Sequence, residues 1–312
     1  MIDTLHEVFA TRLSEAGFAC VDASIWTKEE IMNQLHEYEG LALRSRFKIS
    51  REEIDAATKL KFIARAGAGL ENIDTQYAIS KNIVCFNSPE GNRDSVAEHA
   101  LGMLLMLLHK LNIARAEVQH NIWNRKSNWG NELGDKTMAL IGFGNMGSTF
   151  AKKLQSLGCK IIAYDPYITI DNNLFPFVTQ VEMGEVFEHA DIVSLHTPLT
   201  AETTHLINDD YILRFAKAIV LINTARGKNV DTDALAKGIE SGKVAGACLD
   251  VLEFEPVTFE QMNFDQLPPS FKYLQSHPQV IITPHIAGWT HQSNFKIADV
   301  LATKIINHFS IK

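Results

Sequence analysis

From Lys136 onward, short apolar segments alternate with stretches in which apolar residues recur at helical spacing. The apolar segments show little polar alternation, and they are TMALIG, KIIAYD, DIVSLH, AIVLINTA, VAGACLDV and VIITPH, with FPFVTQ a weaker candidate. Strands of this kind, joined by helices, are typical of a parallel sheet that is covered on both faces. The pattern therefore predicts a doubly wound α/β domain in this part of the chain.

The amino-terminal part of the chain shows the same alternation on a smaller scale. GLALRS, KFIARA and IVCFNSP predict three strands, and Ser50 with Glu53 has the spacing of a capping box that starts a helix. Only Met1–Asp3 precede the first helical stretch. The first sheet therefore either lacks a strand at this point or begins with a very short one.

A long helical pattern follows between the two regions. Ser95 and Glu98 have the spacing of another capping box, and apolar residues then recur at helical spacing towards Asn121. The end of the chain, WTHQSNFKIADVLATKIINHFS, is again helical and can return to the first domain. The sequence thus predicts a Rossmann domain of residues 94–287, inserted into a smaller flavodoxin-like domain formed by residues 1–93 and 288–312.

Composition and charge narrow the class of protein. The formal net charge is −8, and no block of lysine or arginine occurs, so nucleic acid is not expected as a partner. The longest apolar run, Ala100–Leu108, is too short to span a membrane, which takes about 20 residues. The cysteines show no metal-ligand spacing, so we expect no metal and interpret them as free thiols of a cytoplasmic protein. They are Cys20, Cys85, Cys159 and Cys248.

A glycine-rich turn follows the first strand of the larger domain. Gly142, Gly144 and Gly147 form G-x-G-x-x-G between a predicted strand and a predicted helix, where a pyrophosphate can bind at the helix amino terminus. Asp165 ends the next strand, where its carboxylate can accept bonds from ribose hydroxyls and repel a 2′-phosphate. No basic residue follows in YDPYIT. The sequence therefore predicts NAD rather than NADP as the cofactor.

Three polar residues follow later strands of the same predicted sheet. Arg226 follows LINTA, Glu255 lies shortly after CLDV, and His285 follows IITP. The carboxyl ends of parallel strands face the ligand crevice, so the three side chains can meet. An arginine binds a carboxylate, a histidine carries a proton, and a glutamate orients the imidazole and favours its charged form. Considered alone, each residue has an equally good structural interpretation. Arg226 can form a surface ion pair, and His285 can be a loop histidine that bonds the backbone.

Five segments, in this order along the chain, resemble the motif series of the D-2-hydroxyacid dehydrogenases. They are LIGFGNMG, HTPLT, INTARG, LDVLEFEP and TPHIAG. The resemblance implies that His285 is the acid/base, Glu255 its partner and Arg226 the residue that orients the substrate. It also implies that Asp250 binds the nicotinamide amide. The remaining cofactor residues that it implies are Ala68, Asn145, Met146, His196, Thr197, Pro198, Thr224, Ala225 and Gly288, with Arg226 and His285 also at the cofactor.

Segments of the smaller domain resemble one branch of that family, the D-3-phosphoglycerate dehydrogenases. These segments are LRSRFKI, IARAGAGLENID and PEGNRDSVAEH, joined by IWNRKSNWGNELGDKT of the larger domain. Arg44 and Arg65 each end a predicted strand and Arg125 lies on the interdomain connection, so the three guanidiniums can bind a phosphate. The alternative without a binding function is that these arginines are solvated or paired with neighbours such as Glu71. Four residues form a predicted nest for the substrate carboxylate, Ala66, Gly67, Ala68 and Gly69.

The resemblance implies NAD-dependent oxidation of a small phosphorylated 2-hydroxy acid, D-3-phosphoglycerate, by a homodimer. One alternative is a glyoxylate or hydroxypyruvate reductase, whose substrates carry no phosphate. Another, of a different class, is an NAD-sensing interaction protein that resembles a transcriptional corepressor. The segment between Glu255 and His285 is longer than is usual for the family. We expect it to be either a surface excursion or a cover for a neighbouring subunit.

Overall fold

The computed structural model describes residues 1–256 and 262–309. The chain divides into two compact units. The first unit contains Met1–Arg93 and the segment that begins at Trp289, and the second contains Asp94–Glu255 and Asn263–Gly288. Each unit is built on a parallel sheet with helices, which confirms the predicted α/β class.

The described residues form ten strands in two sheets. The first unit holds β1 (Gly40–Leu43), β2 (Phe62–Arg65) and β3 (Val84–Asn87). The second holds β4 (Thr137–Ile141), β5 (Lys160–Tyr164), β6 (Val178–Gln180), β7 (Ile192–Leu195), β8 (Ile219–Asn223), β9 (Val244–Leu249) and β10 (Val280–Ile282). The weakest strand prediction, FPFVTQ, corresponds to β6.

Twelve α-helices lie in the described residues. They are α1 (Val8–Glu15), α2 (Lys28–Gln34), α3 (Arg51–Ala56), α4 (Thr75–Ser80), α5 (Pro89–Leu108), α6 (Leu111–Gln119), α7 (Asn145–Leu154), α8 (Met183–His189), α9 (Asp209–Leu213), α10 (Thr232–Glu240), α11 (Pro269–Ser276) and α12 (His291–Phe309). Short 3₁₀ turns lie at Leu35–Glu37, Gln155–Leu157, Gly227–Asn229 and Phe264–Gln266. α3 begins with the predicted capping box of Ser50 and Glu53. None of the helices so described is long and apolar enough to cross a membrane.

Two backbone hydrogen bonds lie beside the three-stranded sheet of the first unit. The strand order is β1-β2-β3, all parallel. Beyond β1, the Ile2 N–H donates to Ala42 O at 2.9 Å, and the Ala23 N–H donates to Met1 O at 2.8 Å. Ile2 thus contacts the backbone of β1 through one hydrogen bond without forming a strand, which corresponds to the predicted absence of a strand at Met1–Asp3.

The helix prediction after residue 93 needs correction. α5 already begins at Pro89, so Ser95 and Glu98 lie inside the helix and do not form a capping box. The predicted long helix is also interrupted, because Lys110 adopts a left-handed conformation with φ of 53° between α5 and α6. Capping-box spacing is also that of neighbours on one helix face, so the sequence did not fix where α5 starts.

The sheet of the second unit places its nucleotide turn at the centre. The order is β10-β9-β8-β7-β4-β5-β6, all parallel, so the chain reverses its direction of travel across the sheet on either side of β4. Ligands of such sheets bind outside the carboxyl ends of the strands at this switch point. Cys248 of β9 lies in register with Ile222 and Ile281, and complete burial raises the pKa of its thiol to about 12.

Part of the long segment before His285 belongs to the core of the second unit. Phe271 and Leu274 of α11 are fully buried. Leu274 belongs to the main apolar cluster of the unit. This helix is therefore part of the core and not a surface excursion, and a cover for a neighbouring subunit stays a prediction. Residues 257–261 of the segment lie outside the described residues.

Candidate active site

Two of the three glycines in the turn after β4, Gly142 and Gly147, make close approaches to neighbouring backbone. Gly142 has a φ of 91°, and a Cβ on it would lie 2.6 Å from His196 O. A Cβ on Gly147 would overlap Gly142 O, so α7 can approach the turn only if position 147 has no side chain. Gly144 is exposed and precedes the first turn of α7, whose N–H groups are suited to an anion.

Asp165 ties the glycine turn to the loop after β5. Its Oδ2 accepts the Phe143 N–H at 2.8 Å, and its Oδ1 accepts the N–H groups of Tyr167 at 2.9 Å and Ile168 at 3.1 Å. The carboxylate is half-buried, and three backbone donors fix its orientation. A carboxylate has about four acceptor sites, so capacity for a ribose hydroxyl remains.

The other predicted cofactor residues surround the ends of β7 and β8. Thr224 carries a buried hydroxyl oxygen with no hydrogen-bond partner, as expected of a group that serves a ligand. Asn229, fully buried, donates to Thr197 Oγ1 at 2.6 Å. Pro198, Asn145 and Gly144 are exposed, and Met146 and Gly288 are half-buried. The glycine turn, Asp165 and the Thr224 hydroxyl therefore fit NAD.

His196 faces the interior of the second unit. Its Nε2 lies 3.0 Å from Ser194 Oγ, and its ring centroid lies 5.5 Å from that of Phe150. Burial lowers the pKa of His196 to about 3, so the ring is neutral. The ring is a packing group, whereas the main chain and Cβ of His196 lie against the glycine turn.

His285 and Glu255 meet as the sequence predicts. His285 Nδ1 lies 2.9 Å from Glu255 Oε2, and the two side chains are 32% and 21% exposed. The pairing follows from register, because Leu249 at the end of β9 is level with Asn223 of β8 and Ile282 of β10. An imidazole held by a carboxylate at one nitrogen can exchange a proton at the other.

Asp250 fixes the backbone around His285. His285 has a φ of 55°, a conformation that costs energy for a residue with a Cβ. Its N–H donates to Asp250 O at 2.8 Å, and the Asp250 carboxylate accepts the N–H groups of Ile286 at 2.9 Å and Ala287 at 2.8 Å. Asp250 is 1% exposed and also accepts the Thr283 hydroxyl at 2.6 Å. Asp250 thus has a structural role in holding this turn. Its predicted contact with nicotinamide stays a prediction.

Two residues of α5 support the same turn, although the sequence predicted a helix cap for Ser95 and no functional role for His99. Ser95 Oγ donates to Ala287 O at 2.5 Å. His99 Nε2 lies 3.0 Å from Thr283 Oγ1 and 3.5 Å from Asp250 Oδ1. Ser95 and His99 are four residues apart, which places them on one helix face, and that spacing was the only available signal.

Arg226 lies on the same sheet edge, in a turn that Asn223 shapes. Asn223 Oδ1 accepts the Ala225 N–H at 3.0 Å, and its Nδ2 donates to Arg226 O at 2.9 Å. The guanidinium NH1 donates to Ala225 O at 2.7 Å. Ala225 is buried and Arg226 half-buried. A guanidinium at this edge can bind a carboxylate through paired donors.

In the first unit, the side chain of Arg65 binds the backbone of Arg44. Arg65 Nε donates to Arg44 O at 3.1 Å, and the Arg44 guanidinium lies 5.1 Å from the ring centroid of Trp289. Burial lowers the pKa of Arg44, and the nearby Asp3 partly opposes this shift. A partly desolvated guanidinium interacts more strongly with an anion than one in water.

The Asp3 carboxylate holds the backbone turn that carries Arg44. Asp3 Oδ2 accepts the N–H groups of Arg44, Ser45 and Arg46 at 2.5, 3.1 and 3.2 Å. The Arg46 guanidinium then donates to carbonyl oxygens, including Trp26 O at 2.6 Å. Arg46 therefore has a structural role, whereas Arg44 carries the candidate binding function.

The predicted anion nest needs one correction. The Ala66 N–H donates to Leu43 O at 2.7 Å and continues the sheet, so it cannot bind a carboxylate. Asn87 Nδ2 donates to Ala68 O at 2.6 Å, which orients the following loop. A Cβ on Gly67 would overlap the Arg65 guanidinium, so glycine makes room for that arginine. The candidate nest is reduced to Gly67, Ala68 and Gly69.

Arg125, the third predicted phosphate ligand, belongs to the second unit. It lies between α6 and β4, where its side chain is exposed. Its predicted contribution to the same phosphate stays a prediction.

Comparison with known proteins places the chain in a family. The model of the D-isomer specific 2-hydroxyacid dehydrogenase NAD-binding domain matches residues 101–287. D-3-phosphoglycerate dehydrogenase of Homo sapiens is 34% identical over 305 residues, which cover 98% of this chain and 55% of that protein. The chain thus spans about half the length of this relative. Hydroxypyruvate reductase of Thermotoga maritima is 38% identical over 284 residues, or 91% of this chain and 89% of that protein.

Solved structures agree with this assignment. A D-lactate dehydrogenase of Aquifex aeolicus, solved with NAD and lactic acid, superposes with a TM-score of 0.81 at 30% identity, and the match covers 97% of this chain and 92% of that one. The matched NAD-binding family and this neighbour confirm the prediction of NAD as the cofactor. By its motifs, its fold and these relatives, the chain belongs to the family of D-2-hydroxyacid dehydrogenases.

Proposed function

We propose that this protein interconverts a D-2-hydroxy acid and its 2-keto acid with NAD, and that its substrate is D-3-phosphoglycerate. The observation that carries the reaction is the pairing of His285 with Glu255 at the sheet edge that also presents Arg226. The observation that supports a phosphorylated substrate is that Arg44 and Arg65 stand at the carboxyl ends of adjacent strands of the first unit, where the Arg65 side chain binds Arg44 O.

The proposed mechanism assigns one task to each polar side chain. His285 takes the proton of the substrate hydroxyl at Nε2, because Nδ1 faces Glu255. Glu255 fixes the ring and compensates the charge that develops on it. Arg226 holds the substrate carboxylate and polarises the carbonyl oxygen as it forms. When bound, NAD supplies the nicotinamide that accepts the hydride from the substrate carbon.

The NAD site is assigned to the second unit. The N–H groups at the start of α7 bind the pyrophosphate, and Asp165 binds the ribose hydroxyls. The Thr224 hydroxyl and the main chain of Thr197 and Ala225 line the cofactor site. The same carboxylate at Asp165 disfavours the 2′-phosphate of NADP.

The substrate assignment is supported by the chemistry of the first unit. Arg44 and Arg65 present two guanidiniums to the phosphate, and the N–H groups of Gly67, Ala68 and Gly69 hold the carboxylate end. Arg125 is the third arginine of this proposal. Human D-3-phosphoglycerate dehydrogenase, which is 34% identical, supports the same substrate.

A second candidate is the reduction of hydroxypyruvate. It is supported by the relative of that name in Thermotoga maritima, at 38% identity over 284 residues. The reaction would use the same His285, Glu255 and Arg226 but would place no phosphate on Arg44. The candidate of a different class is an NAD-sensing interaction protein. Under that hypothesis the protein would bind a stable protein partner and would show no turnover.

The deciding experiment compares NADH oxidation with 3-phosphohydroxypyruvate, hydroxypyruvate and glyoxylate at equal concentrations. We expect the phosphorylated keto acid to be preferred, and Arg44→Ala to weaken that substrate alone. Equal losses on hydroxypyruvate would contradict a phosphate contact at Arg44. Preference for a small keto acid would keep the reaction and overturn the substrate.

The histidine assignment has its own test. His285→Ala should lower kcat by about 10³-fold or more, because it removes the proton carrier. NADH binding, followed by fluorescence titration, should persist. A His285→Ala variant that remains active would contradict the proposed mechanism.

A homodimer in the cytoplasm completes the proposal. The second unit exposes large apolar side chains on and after α6, including Val118 at 53%, Trp123 at 81% and Trp129 at 80%. Exposed aromatic groups of this kind are enriched in protein interfaces. The four cysteines are free thiols, as expected in a reducing compartment. Sedimentation of the wild type beside Trp123→Ser tests this dimer face.

A further inference from the structure

Glu253 makes a set of hydrogen bonds that the proposed reaction does not use. Its Oε2 accepts the N–H of Thr232 at 3.0 Å and the Thr232 hydroxyl at 2.7 Å. Its Oε1 lies 2.7 Å from His205 Nε2. The side chain is 17% exposed, so these donors replace most of the water around its carboxylate.

The turn that contains Glu253 also carries the candidate catalytic glutamate. The Glu255 N–H donates to Leu252 O at 3.2 Å and closes a four-residue turn. In so short a turn, the position of the second residue limits the position of the fourth. A displacement of Glu253 therefore displaces the carboxylate that faces His285.

The partners of Glu253 belong to the segment that follows Arg226. Thr232 is the first residue of α10, six residues after Arg226. His205 is attached to the same segment, because its N–H donates to Lys228 O at 2.8 Å. Glu253 thus joins the turn of Glu255 to the continuation of the turn of Arg226.

A close backbone approach holds the other side of the Leu252–Glu255 turn. A Cβ on Gly227 would overlap Leu252 O, so the two backbones pack directly against each other. The turn is therefore fixed at two points, at Leu252 by packing on Gly227 and at Glu253 by hydrogen bonds to Thr232 and His205. Two fixed points define the orientation of a turn, whereas one leaves it free to rotate.

We infer that Glu253 is a positioning residue, which fixes Glu255 relative to Arg226 so that both groups face the substrate from one rigid frame. The inference rests on the proposed function for its kinetic consequence, while the geometric consequence can be measured without turnover. Glu253 does not touch the reacting atoms. It acts through the placement of Glu255 beside His285 Nδ1.

The first test compares Glu253→Ala, Glu253→Gln and Asp209→Asn. Asp209 forms an exposed ion pair with Lys237 in the same unit, which makes it a matched control for the loss of a paired carboxylate. We expect Glu253→Ala to lower kcat by up to about 10²-fold, since small displacements of catalytic groups cost rates of that order. The KM for the keto acid and the affinity for NADH should change less than about twofold.

The conservative variant separates position from charge. Glutamine keeps the shape of Glu253 and an oxygen that can accept both Thr232 donors. Glu253→Gln should therefore recover most of the kcat that Glu253→Ala loses, and Asp209→Asn should match the wild type. Equal kcat in Glu253→Ala and Asp209→Asn would overturn the inference.

A double-mutant cycle tests whether Glu253 acts through Glu255. If it does, Glu253→Ala should have no further effect on kcat in a Glu255→Gln background. Fully additive losses would show that Glu253 acts elsewhere and would refute the positioning role.

A spectroscopic test distinguishes failure of the inference from failure of the proposed function. In protein labelled with ¹⁵N-histidine, the Nδ1 signal of His285, assigned with His285→Ala, should shift in Glu253→Ala but not in Asp209→Asn. An unchanged signal would overturn the inference even in an active enzyme. The expected shift in a protein that reduces no keto acid would retain the inference and reject the proposed function.

Discussion

The two units each use a carboxylate to hold the turn that presents a candidate functional side chain. In the first unit, Asp3 gathers the N–H groups of residues 44–46 around Arg44. In the second, Asp250 gathers those of Ile286 and Ala287 beside His285. Both aspartates satisfy donors that a tight turn would otherwise leave without partners.

The two aspartates differ in their surroundings. Asp250 is 1% exposed, and it also binds Thr283, which His99 contacts in turn. Asp3 is half-buried and holds its turn mainly through backbone donors. The turn of the second unit is thus held around a fully buried carboxylate, whereas the turn of the first is held by a half-buried one, with Arg65 and Asn72 donating to Arg44 O at 3.1 and 3.3 Å.

This difference has a functional meaning under the proposed mechanism. Proton transfer requires a histidine held to within a fraction of an ångström, which buried and redundant bonds provide. Choice among substrates requires only that arginines lie near an anion. Changes around Asp250 should therefore affect turnover of every substrate, and changes around Asp3 should affect which substrate is preferred.

The largest effect is expected for Asp250→Ala. It removes the acceptor of the Ile286 and Ala287 N–H groups and one partner of the Thr283 hydroxyl, and each donor left unsatisfied costs about 1–3 kcal/mol. The free energy of unfolding should fall by several kcal/mol, and kcat should fall by about 10²-fold with every keto acid. Urea denaturation and steady-state kinetics measure the two losses. A variant with normal kcat and changed substrate preference would reverse the comparison.

Acid should affect the two units in different pH windows. Burial lowers the pKa of His196 in the second unit from 6.5 to about 3. Between about pH 6.5 and pH 3 the unfolded chain takes up a proton at this histidine that the folded unit does not. Stability should therefore fall as the pH drops, by at most about 1.4 kcal/mol per pH unit.

In the first unit, burial opposes ionisation of Glu53, but hydrogen bonds from Lys28 and Ser50 outweigh it and lower its pKa from 4.5 to about 2. Its contribution to stability should be lost only below about pH 4.5. Urea denaturation at several pH values, comparing the wild type with His196→Gln and Glu53→Gln, checks both windows. An identical pH dependence for wild type and His196→Gln would contradict the first.

A selective effect is expected for Asp3→Ala. Without the carboxylate, the turn loses three backbone hydrogen bonds, so the main chain that carries Arg44 is less firmly held. We expect kcat/KM for 3-phosphohydroxypyruvate to fall by about tenfold, the order of one charged hydrogen bond, with glyoxylate reduction little changed. Paired kinetics on the two keto acids measure the ratio. Parallel losses on both would show that Asp3 supports the whole fold and not the choice of substrate.

The smallest effect is expected for Ser95→Ala. The Ser95 hydroxyl donates to Ala287 O, but Asp250 still holds the same residue through its N–H. Loss of one neutral hydrogen bond costs about 1 kcal/mol, so kcat should fall only a fewfold. Steady-state kinetics beside Asp250→Ala show whether the turn is redundantly held. A loss as large as that of Asp250→Ala would disprove the redundancy.

The sequence predicted the parts of the structure that depend on local pattern. The glycine turn, the parallel strands and the pairing of Glu255 with His285 follow from motif spacing and from the geometry of strand ends. The supports of these groups were not predicted. Ser95 and Ala287 are 192 residues apart, and Asp3 and Arg44 are 41 apart, so no local pattern marks either bond.

One error shows the same limit in another form. Ser95 and Glu98 have the spacing that caps a helix, yet the same spacing occurs within any helix. Propensity alone does not decide where α5 begins. The Ser95 hydroxyl instead donates to Ala287 O, and Glu98 pairs with Lys153 on the surface.

The buried thiol of Cys248 can report the unfolding of the second unit through its rate of alkylation. The thiolate is the reactive form, so a group held in the middle of β9 with its pKa raised to about 12 resists alkylation while the sheet is closed. Cys20, Cys85 and Cys159 are only half-buried. Their prompt labelling, followed by slow labelling at Cys248, would time the opening of the seven-stranded sheet without any added probe.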